Sequence, residues 1–256
     1  MISLPFSSRR SSSRHPRVPH GGRVYAIGDI HGRADLLDQM FKRIDADFSQ
    51  APLPHRLEVF LGDYVDRGPA SRQVLDLLIE RGRPRPIERG RSHQTIFLKG
   101  NHEALLMNFP ANPSSLGSWR RLGGLETLMS YGLTPTAKAD PRTEADLAAA
   151  FDKALPPSHR RFLSDLKTSF TCGDYFFVHA GVRPGVALEK QREEDLLWIR
   201  QEFLLCEEDF SKIIVHGHTP VLQPEFRSNR INIDTGAYAT GRLSCLVLEA
   251  DKVRIL

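Results

Sequence analysis

From residue 24 onward, short apolar runs alternate with longer stretches in which apolar residues recur every three or four positions. The short runs are unbroken and rich in β-branched and aromatic side chains, a pattern typical of strands that are buried on both faces. Eight such runs predict strands, the last of them at a sheet edge: Val24–Ile27, Leu57–Leu61, Thr95–Leu98, Tyr175–Val178, Ile213–Val215, Ile231–Ile233, Leu243–Leu248 and Val253–Leu256.

The longer stretches predict helices. Residues 34–48 place Leu37 and Phe41 on one stripe. Residues 70–81 have the same spacing, and Gly82 stands at the C′ position, where many helices end. Because strand and helix alternate along this part of the chain, we expect an α/β fold with a mostly parallel inner sheet covered by helices.

Residues 104–169 contain no strong strand pattern. Helical patterns near 115–131 and 144–166 fill this segment, and Thr143 and Asp146 have the spacing of a capping box. We therefore predict a helical insertion, or cap, beside the functional site.

The formal net charge of +4 is concentrated at the N terminus. Residues 1–23 contain five arginines and no acidic residue, which leaves the remainder of the chain at −1. We predict a disordered basic tail over residues 1–22 in preference to a transit peptide, which its composition also resembles. A nucleic-acid partner is not expected, because the folded body is nearly neutral. The basic segment Arg81–Arg91 is interpreted as a solvated loop and not as a binding patch.

The cysteines and the longest apolar stretches narrow the class further. The three cysteines lie far apart without metal-ligand spacing, which argues against a disulfide framework and against a zinc knuckle. No apolar stretch approaches the roughly 20 residues that span a bilayer. We expect a cytoplasmic protein without a membrane partner, and a monomer in preference to an oligomer.

Polar residues follow five of the predicted strands directly, in segments 28–32 (GDIHG), 62–68 (GDYVDRG), 100–103 (GNHE), 179–181 (HAG) and 216–219 (HGHT). Ligands of open α/β sheets bind at this carboxyl edge of the strands. A single Asp or His after a strand is usually a turn former, but a cluster needs a shared partner that offsets its desolvation. Carboxylate, amide oxygen and imidazole are ligands of divalent ions such as Mn²⁺, Fe²⁺ or Zn²⁺, so we infer metal.

Taken in order, these motifs resemble the phosphoprotein phosphatase branch of the calcineurin-like metallophosphoesterases, and their framing is similar to bacterial serine/threonine protein phosphatases. The resemblance covers residues 23–250. It implies a catalytic domain over residues 23–256, built as a central β-sandwich of mixed sheets flanked by helices. It also implies two divalent metal ions, with Mn²⁺ preferred and Fe²⁺ or Zn²⁺ as alternatives.

The same resemblance implies a role for each matching residue. Six residues would hold the two metals, with the third of them shared by both: Asp29, His31, Asp63, Asn101, His179 and His218. His102 would be the general acid, with Asp66 as its orienting partner. Arg67 and Arg200 would bind phosphate oxygens.

Three further polar residues are less certain from the pattern. His216 competes with His218 for the metal, but the family pattern places the ligand directly after the glycine, so His216 would at most support it. Asp234 and Tyr238 follow a later strand, where structural and functional roles are equally open.

The mechanism that follows is direct hydrolysis. Two metals lower the pKa of a bound water from about 15.7 toward 7, and the resulting bridging hydroxide would attack phosphorus. The chain has no CX₅R and no GXSXG motif, so a covalent phosphoenzyme is not expected. We predict a phosphomonoesterase whose partners are phosphorylated proteins or peptides carrying phosphoserine or phosphothreonine, with phosphotyrosine also acceptable to such a site.

Three alternatives stay open. A diadenosine polyphosphate hydrolase has motifs resembling GDLVARG and GNHD, so Asp66 and Glu103 favour the phosphomonoesterase. A phosphodiesterase or nuclease would carry GHXH, where this chain has Pro220. A non-catalytic phosphate-binding module is disfavoured because every inferred ligand is present.

Overall fold

The computed structural model describes residues 15–84, 90–135 and 140–256. Within these residues, ten strands form two five-stranded mixed sheets. In spatial order, the first sheet contains β10 (Lys252–Ile255), β9 (Cys245–Glu249), β1 (Gly22–Ile27), β2 (His55–Phe60) and β3 (Ser92–Phe97). The second sheet contains β4 (Ser169–Cys172), β5 (Tyr175–Val178), β6 (Ile213–His216), β8 (Arg230–Asn232) and β7 (Glu225–Phe226).

Each sheet has three parallel strands and antiparallel strands beside them. In the first sheet β1, β2 and β3 are parallel, while β9 is antiparallel to both β1 and β10. In the second sheet β5, β6 and β8 are parallel, while β4 and β7 are antiparallel to their neighbours. The parallel order expected from the sequence is therefore present in both sheets.

All eight predicted strands are found, with ends shifted by up to three residues. The sequence pattern missed β4 and β7. Neither has a fully buried residue, and β7 is two residues long, so neither produces a continuous apolar run.

The core between the two sheets explains why the strand runs are unbroken. Val24 and Ala26 of β1 point into this core, where they meet Phe177 of β5. Tyr25 and Ile27 point to the other face of the first sheet, into a core shared with the helices. Since both faces are covered, apolar residues are favoured at successive positions and not at alternate ones.

Ten α-helices lie in the described residues: α1 (Ala34–Gln50), α2 (Ser71–Arg81), α3 (Asn101–Asn108), α4 (Leu116–Arg121), α5 (Gly124–Ser130), α6 (Pro141–Ala154), α7 (Pro157–Ser164), α8 (Glu193–Trp198), α9 (Gln201–Leu204) and α10 (Ala237–Thr240). Two 3₁₀ turns accompany them, at Pro113–Ser115 and Leu188–Lys190. None of the helices in these ranges is long and apolar enough to cross a bilayer.

Helices α3 to α7 form the insertion, which lies in the sequence between β3 of the first sheet and β4 of the second. Helices α5 and α7 contact α2, and Phe109, Trp119 and Phe151 of the insertion join the core that covers the first sheet. The single helix expected near 115–131 is divided, because Gly123 has a φ of +95° between α4 and α5.

The predicted capping box at Thr143 is wrong. Helix α6 begins three residues before the expected start, and Asp140 is its N-cap. The Asp140 carboxylate accepts hydrogen bonds from the backbone N–H groups of Arg142 and Thr143, and Pro141 occupies the first helical position. Aspartate before proline is itself a strong start signal, and it overrides the weaker spacing.

Two predicted boundaries also need correction. The tail was expected to reach residue 22, but Val18 is buried and its N–H donates to the carbonyl of Ala250. Residues 1–14 lie outside the described part of the chain. Arg81 was counted within a solvated loop, but it is the buried last residue of α2. Gly82 caps this helix in a right-handed conformation, and residues 85–89 lie outside the described residues.

Candidate metal centre

The five motifs meet where the two sheets present the ends of their parallel strands. Strands β1, β2 and β3 lead into the motifs of the first sheet, and β5 and β6 lead into those of the second. The six predicted ligands are all buried: Asp29, His31, Asp63, Asn101, His179 and His218. The sequence prediction placed them together, and the structure does the same.

The backbone of the motifs is held in sparsely populated conformations. Seven non-glycine residues of the described chain have positive φ, and five of them lie in these motifs: His31, Asp63, Asp66, Arg67 and His218. Such conformations cost about 1–3 kcal/mol each and persist where surrounding contacts impose them. Their concentration here indicates that the position of the side chains is under constraint.

Asp63 lies at the middle of the cluster. Its Oδ2 is 3.5 Å from Nε2 of His31 and 3.8 Å from Nε2 of His102, and its Oδ1 is 3.3 Å from Nε2 of His179. Two groups of potential metal ligands share this carboxylate, one containing His31 and the other containing His179 and His218. This geometry fits a carboxylate that bridges two ions.

The histidines present lone pairs to the cluster. Nδ1 of His31 lies 2.9 Å from the carbonyl oxygen of Val65, and Nδ1 of His179 lies 3.0 Å from that of Leu61. Since a carbonyl can only accept, each Nδ1 carries the proton and each Nε2 is left free to ligate. Nε2 of His179 lies 3.0 Å from Oδ1 of Asn101, so the amide oxygen points to the same place.

Asp29 and His218 carry buried atoms that lack a hydrogen-bond partner. Oδ2 of Asp29 accepts the N–H of His218, whereas its Oδ1 has no partner within the described residues, and neither has Nε2 of His218. Gly217 makes room for this arrangement, because a Cβ at that position would lie 2.0 Å from Oδ1 of Asp29. Buried polar atoms are rarely left without a partner, so Oδ1 of Asp29 fits a ligand of an ion. The nitrogen of His218 that faces the cluster is Nδ1, which lies 3.2 Å from Nε2 of His179.

The electrostatics of the cluster point the same way. Burial, with repulsion from Asp234 and Asp63, raises the pKa of Asp29 well above its ordinary value. Burial lowers the pKa of His31 to about 3 and that of His218 to about 2, so both rings are neutral. Neutral imidazoles and carboxylates that lack a counter-charge are the donors that divalent cations need. The residues therefore fit a pair of such ions.

His102 and Asp66 form a closed pair beside the cluster. Nδ1 of His102 is 2.7 Å from Oδ2 of Asp66, which also accepts from Nε1 of Trp119 at 2.7 Å. Oδ1 of Asp66 accepts from the hydroxyl of Thr127 at 2.6 Å. Burial acts to lower the pKa of His102, but Asp63 and the hydrogen bond to Asp66 outweigh it and raise that pKa.

Two of these partners come from the insertion, and the sequence analysis missed them. Trp119 lies on α4 and Thr127 on α5, more than 50 residues after Asp66. No local pattern links positions so far apart, so a single sequence gives no signal for them. The insertion therefore fixes the orientation of Asp66 directly.

Glu103 is a third residue whose role was missed. Its carboxylate accepts N–H groups from Asp63, Tyr64 and Gly100, and more weakly from Val65. Burial raises its pKa to about 7. Its position at N3 of α3, where its carboxylate accepts the N–H of the N-cap residue Gly100, was a signal that the sequence did contain.

The two predicted phosphate-binding arginines lie beside different histidines of the cluster, and both act on the pKa of Asp234. Nη2 of Arg67 is 3.4 Å from Nε2 of His102, and its guanidinium lies 4.7 Å from the ring centre of Tyr238. Arg200 is exposed and donates to the hydroxyl of Thr219, and its charge helps to lower the pKa of His218. One arginine thus faces each half of the cluster.

Of the three remaining candidates, the structure places Asp234 and Tyr238 next to the cluster and His216 outside its ligand groups. His216 is buried against Phe203 at 4.9 Å between ring centres, and it belongs to neither group of potential ligands. Asp234 lies close enough to the cluster for Asp63 to contribute to its raised pKa of about 6, of which burial is the main cause. Tyr238 is edge-on to His31 at 5.4 Å. Asp234 and Tyr238 therefore both border the cluster.

Comparison with known proteins places this geometry in a family. A model described as calcineurin-like phosphoesterase matches residues 22–253. A bis(5′-nucleosyl)-tetraphosphatase PrpE, of the asymmetrical type, from Anoxybacillus flavithermus is 26% identical in an alignment of 243 residues that covers 86% of this chain and 88% of the relative.

Solved structures agree with this fold. A candidate diadenosine tetraphosphatase has a TM-score of 0.60 at 20% identity, over 94% of this chain and 97% of its own. A cold-active protein tyrosine phosphatase has a TM-score of 0.61 at 16% identity, over 94% and 81%. The family expected from the motifs is confirmed, whereas the narrower protein phosphatase type is not shown. The chain belongs to the calcineurin-like phosphoesterases, a family of hydrolases with a two-metal site.

Proposed function

We propose that this chain hydrolyses a phosphoric anhydride bond in dinucleoside polyphosphates, with diadenosine tetraphosphate as the representative substrate. The name of the Anoxybacillus relative supports the proposal, because that relative aligns over most of both chains. The proposal takes up the alternative from the sequence analysis in place of its main interpretation, which was a phosphoserine and phosphothreonine phosphatase.

The two positions that had favoured a phosphomonoesterase carry less weight in the structure. The Glu103 carboxylate is fully used by backbone N–H groups of the loops around it. It therefore stabilises the ligand loops and does not face a substrate. Asp66 is likewise enclosed by Trp119 and Thr127, so its contact with substrate is at most indirect, through His102.

The observation that carries the proposal is the placement of the arginines. Arg67 adjoins the half of the cluster that contains His31, and Arg200 adjoins the half that contains His218. A single phosphate can accept from both guanidiniums, but a polyphosphate also offers oxygens on both sides of the phosphorus under attack. Guanidinium groups bind phosphate oxygens in bidentate fashion, so two of them suit such a chain.

The residues of this chain would divide the chemistry as follows. When bound, two divalent cations supply a water of lowered pKa and neutralise phosphate charge. Asp63 holds the two ligand groups together, and the neutral His31 and His179 add donors without charge. Arg67 and Arg200 orient the phosphates and balance the charge that develops on their oxygens. In its cationic form His102 would carry a proton at Nε2, besides the one that Nδ1 donates to Asp66, and this proton could pass to the leaving oxygen.

A protein phosphatase activity is the second candidate, and one observation favours it. The short hydrogen bond between His102 and Asp66 favours the cationic acid. A serine or threonine alkoxide is a poor leaving group that needs this proton, whereas the terminal phosphate of a nucleotide needs it much less. The acid pair would therefore contribute more to a phosphomonoester than to an anhydride.

A substrate panel tests the proposal. Diadenosine tetraphosphate would be compared with phosphoserine, phosphothreonine and phosphotyrosine peptides in Mn²⁺, with Asp63→Asn as the inactive control. We expect the highest kcat/KM on the dinucleotide. A kcat/KM tenfold higher on any of the phosphopeptides would replace the proposal with the second candidate.

A further inference from the structure

Two aromatic side chains are exposed beside the candidate metal centre. In the described residues, three aromatic side chains are exposed: Trp198, Phe226 and Tyr238. Trp198 is 41% exposed and its ring centre lies 6.3 Å from that of His218. Tyr238 is 39% exposed and its ring centre lies 5.4 Å from that of His31. Each ring therefore stands beside a different half of the cluster.

Each of these rings also has a phosphate-binding arginine near it. The guanidinium of Arg67 lies over the Tyr238 ring at 4.7 Å from its centre. Trp198 is the last residue of α8, and Arg200 follows it by two residues and bonds to Thr219, next to His218. Both sides of the centre thus combine a cation with a large exposed ring.

This combination suits nucleotides better than ring-free phosphates. A nucleotide carries an aromatic base one sugar away from its first phosphate, and a dinucleoside polyphosphate carries a base at each end. Base–aromatic stacking contributes about 1–3 kcal/mol per base, and every base offers a π-face. A phosphotyrosine peptide could use one ring at most, and a phosphoserine peptide could use neither.

We infer that Trp198 and Tyr238 are specificity-determining residues that stack the two nucleobases of a dinucleoside polyphosphate, one on each side of the metal centre. The inference rests on the proposed function, because it assigns binding groups for the same substrate. It adds a role for two residues that the phosphate chemistry does not require.

Binding gives a test that does not depend on turnover. The chain contains two tryptophans, and Trp119 is fully buried, so a ligand at the surface reports through Trp198. A diadenosine tetraphosphate analogue with methylene groups in place of its bridging oxygens should quench this fluorescence. Tripolyphosphate should not, and Trp198→Phe should abolish the quench. An analogue that binds without changing the Trp198 signal would overturn the role of this residue.

Kinetics tests both residues together. For Trp198→Ala and Tyr238→Ala, the ratio of kcat/KM on diadenosine tetraphosphate to that on tripolyphosphate should fall about 5- to 150-fold each. If Tyr238→Ala displaces Arg67, kcat/KM should fall on both substrates alike, and the ratio is not affected by such a loss. The variants Trp198→Phe and Tyr238→Phe should retain the wild-type ratio, because they keep a ring.

Phe226→Ala is the matched control. Phe226 is an exposed ring on β7, in a pocket with Tyr175 at the opposite end of β5 from His179, so its loss should leave the ratio unchanged. Unchanged ratios in both alanine variants, with an active wild type, would refute the inference alone. A wild type that does not cleave the dinucleotide refutes the proposed function, and the fluorescence experiment then decides whether Trp198 stacks a base.

Discussion

The molecule contains two clusters of buried charge that are built in opposite ways. One lies against the first sheet, where both carboxylate oxygens of Glu58 accept from Arg81 at 2.8 Å and Arg81 also bonds to Asp45. The other is the candidate metal centre, where Asp29 has a buried oxygen that finds no partner among the described residues and lies near Asp63.

The pKa shifts of Glu58 and Asp29 have opposite directions, although the pKa of the central Asp63 is lowered, against the effect of burial, by the histidines around it. Burial acts to raise the pKa of Glu58, but its hydrogen bonds to His93 and Arg81 lower it to about 2. In the centre, burial and neighbouring carboxylates raise the pKa of Asp29, and no arginine compensates. Buried charge that is balanced within the chain stabilises the fold, whereas buried charge that is left unbalanced marks a place for a ligand of opposite charge.

Loss of the divalent cations from the centre should have the largest effect on activity. A chelator, or Asp63→Asn, should lower kcat/KM by about 10³-fold or more, because metals supply several kcal/mol of transition-state stabilisation. Phosphate release before and after addition of Mn²⁺ measures this. The exposed carboxylate variant Asp38→Asn should keep full activity. Full turnover after exhaustive chelation would contradict the contrast between the clusters.

Like Glu58, the Asp66 carboxylate has hydrogen-bond partners within the chain at both oxygens. Its partner His102 should matter for catalysis mainly when the leaving group is poor. His102→Asn should lower kcat on alkyl phosphates by about 10²–10⁴-fold, with a smaller loss on p-nitrophenyl phosphate. Rates on both substrates measure this, with unchanged Mn²⁺ affinity as the control. Equal losses on the two would remove the acid role.

Breaking the balanced cluster should cost stability and not chemistry. Glu58→Gln should lower the free energy of unfolding by about 3 kcal/mol, the low end for a broken buried pair, because Arg81 loses its buried carboxylate and keeps only Asp45. Urea unfolding measures this, and Asp38→Asn, which removes an exposed pair with Lys42, should cost about 0.5 kcal/mol or less. A Glu58→Gln protein as stable as wild type would refute the stabilising role.

The pH dependence of that cluster follows from the sign of its shift. The folded-state pKa of Glu58 is depressed from 4.5 to about 2. Its contribution is therefore fully present above pH 4.5 and is lost as the pH falls toward 2. Wild type should lose its advantage over Glu58→Gln across this interval, which unfolding at several pH values would detect.

The smallest expected effect is a gain in stability, in contrast to the loss expected for Glu58→Gln. Asp29→Asn should raise the stability of the metal-free protein, because a carboxyl group with a raised pKa destabilises the fold at neutral pH. With Mn²⁺ at about 100 times its Kd, wild type should gain about 2.7 kcal/mol and the variant much less. Thermal unfolding with and without metal measures both. Destabilisation of the metal-free protein by Asp29→Asn would show that this carboxylate is structural.

The strands and the ligands could be predicted because their signals are local. The run Val24–Ile27 is apolar throughout since both faces are covered, and Asp29 and His31 follow it within four residues. Strand β4 produced no such signal, because it is an edge strand that is only half buried.

Contacts between distant segments could not be predicted. Trp119 and Thr127 hold Asp66 across more than 50 residues, and only the packing of α4 and α5 reveals this. The substrate preference could not be predicted from the motifs for a related reason. Glu103 was used to separate two families, although its side chain is occupied by the loops that it supports.

The ligands are divided between the two sheets, and this has a consequence for folding. Asp63 follows a strand of the first sheet, while His179 and His218 follow strands of the second. A nascent chain that has been synthesised only as far as β3 would contain a part of the ligand set and would bind metal weakly. Tight metal binding should therefore occur when the two sheets pack against each other. A bound ion would then link the two sheets and slow their separation during unfolding.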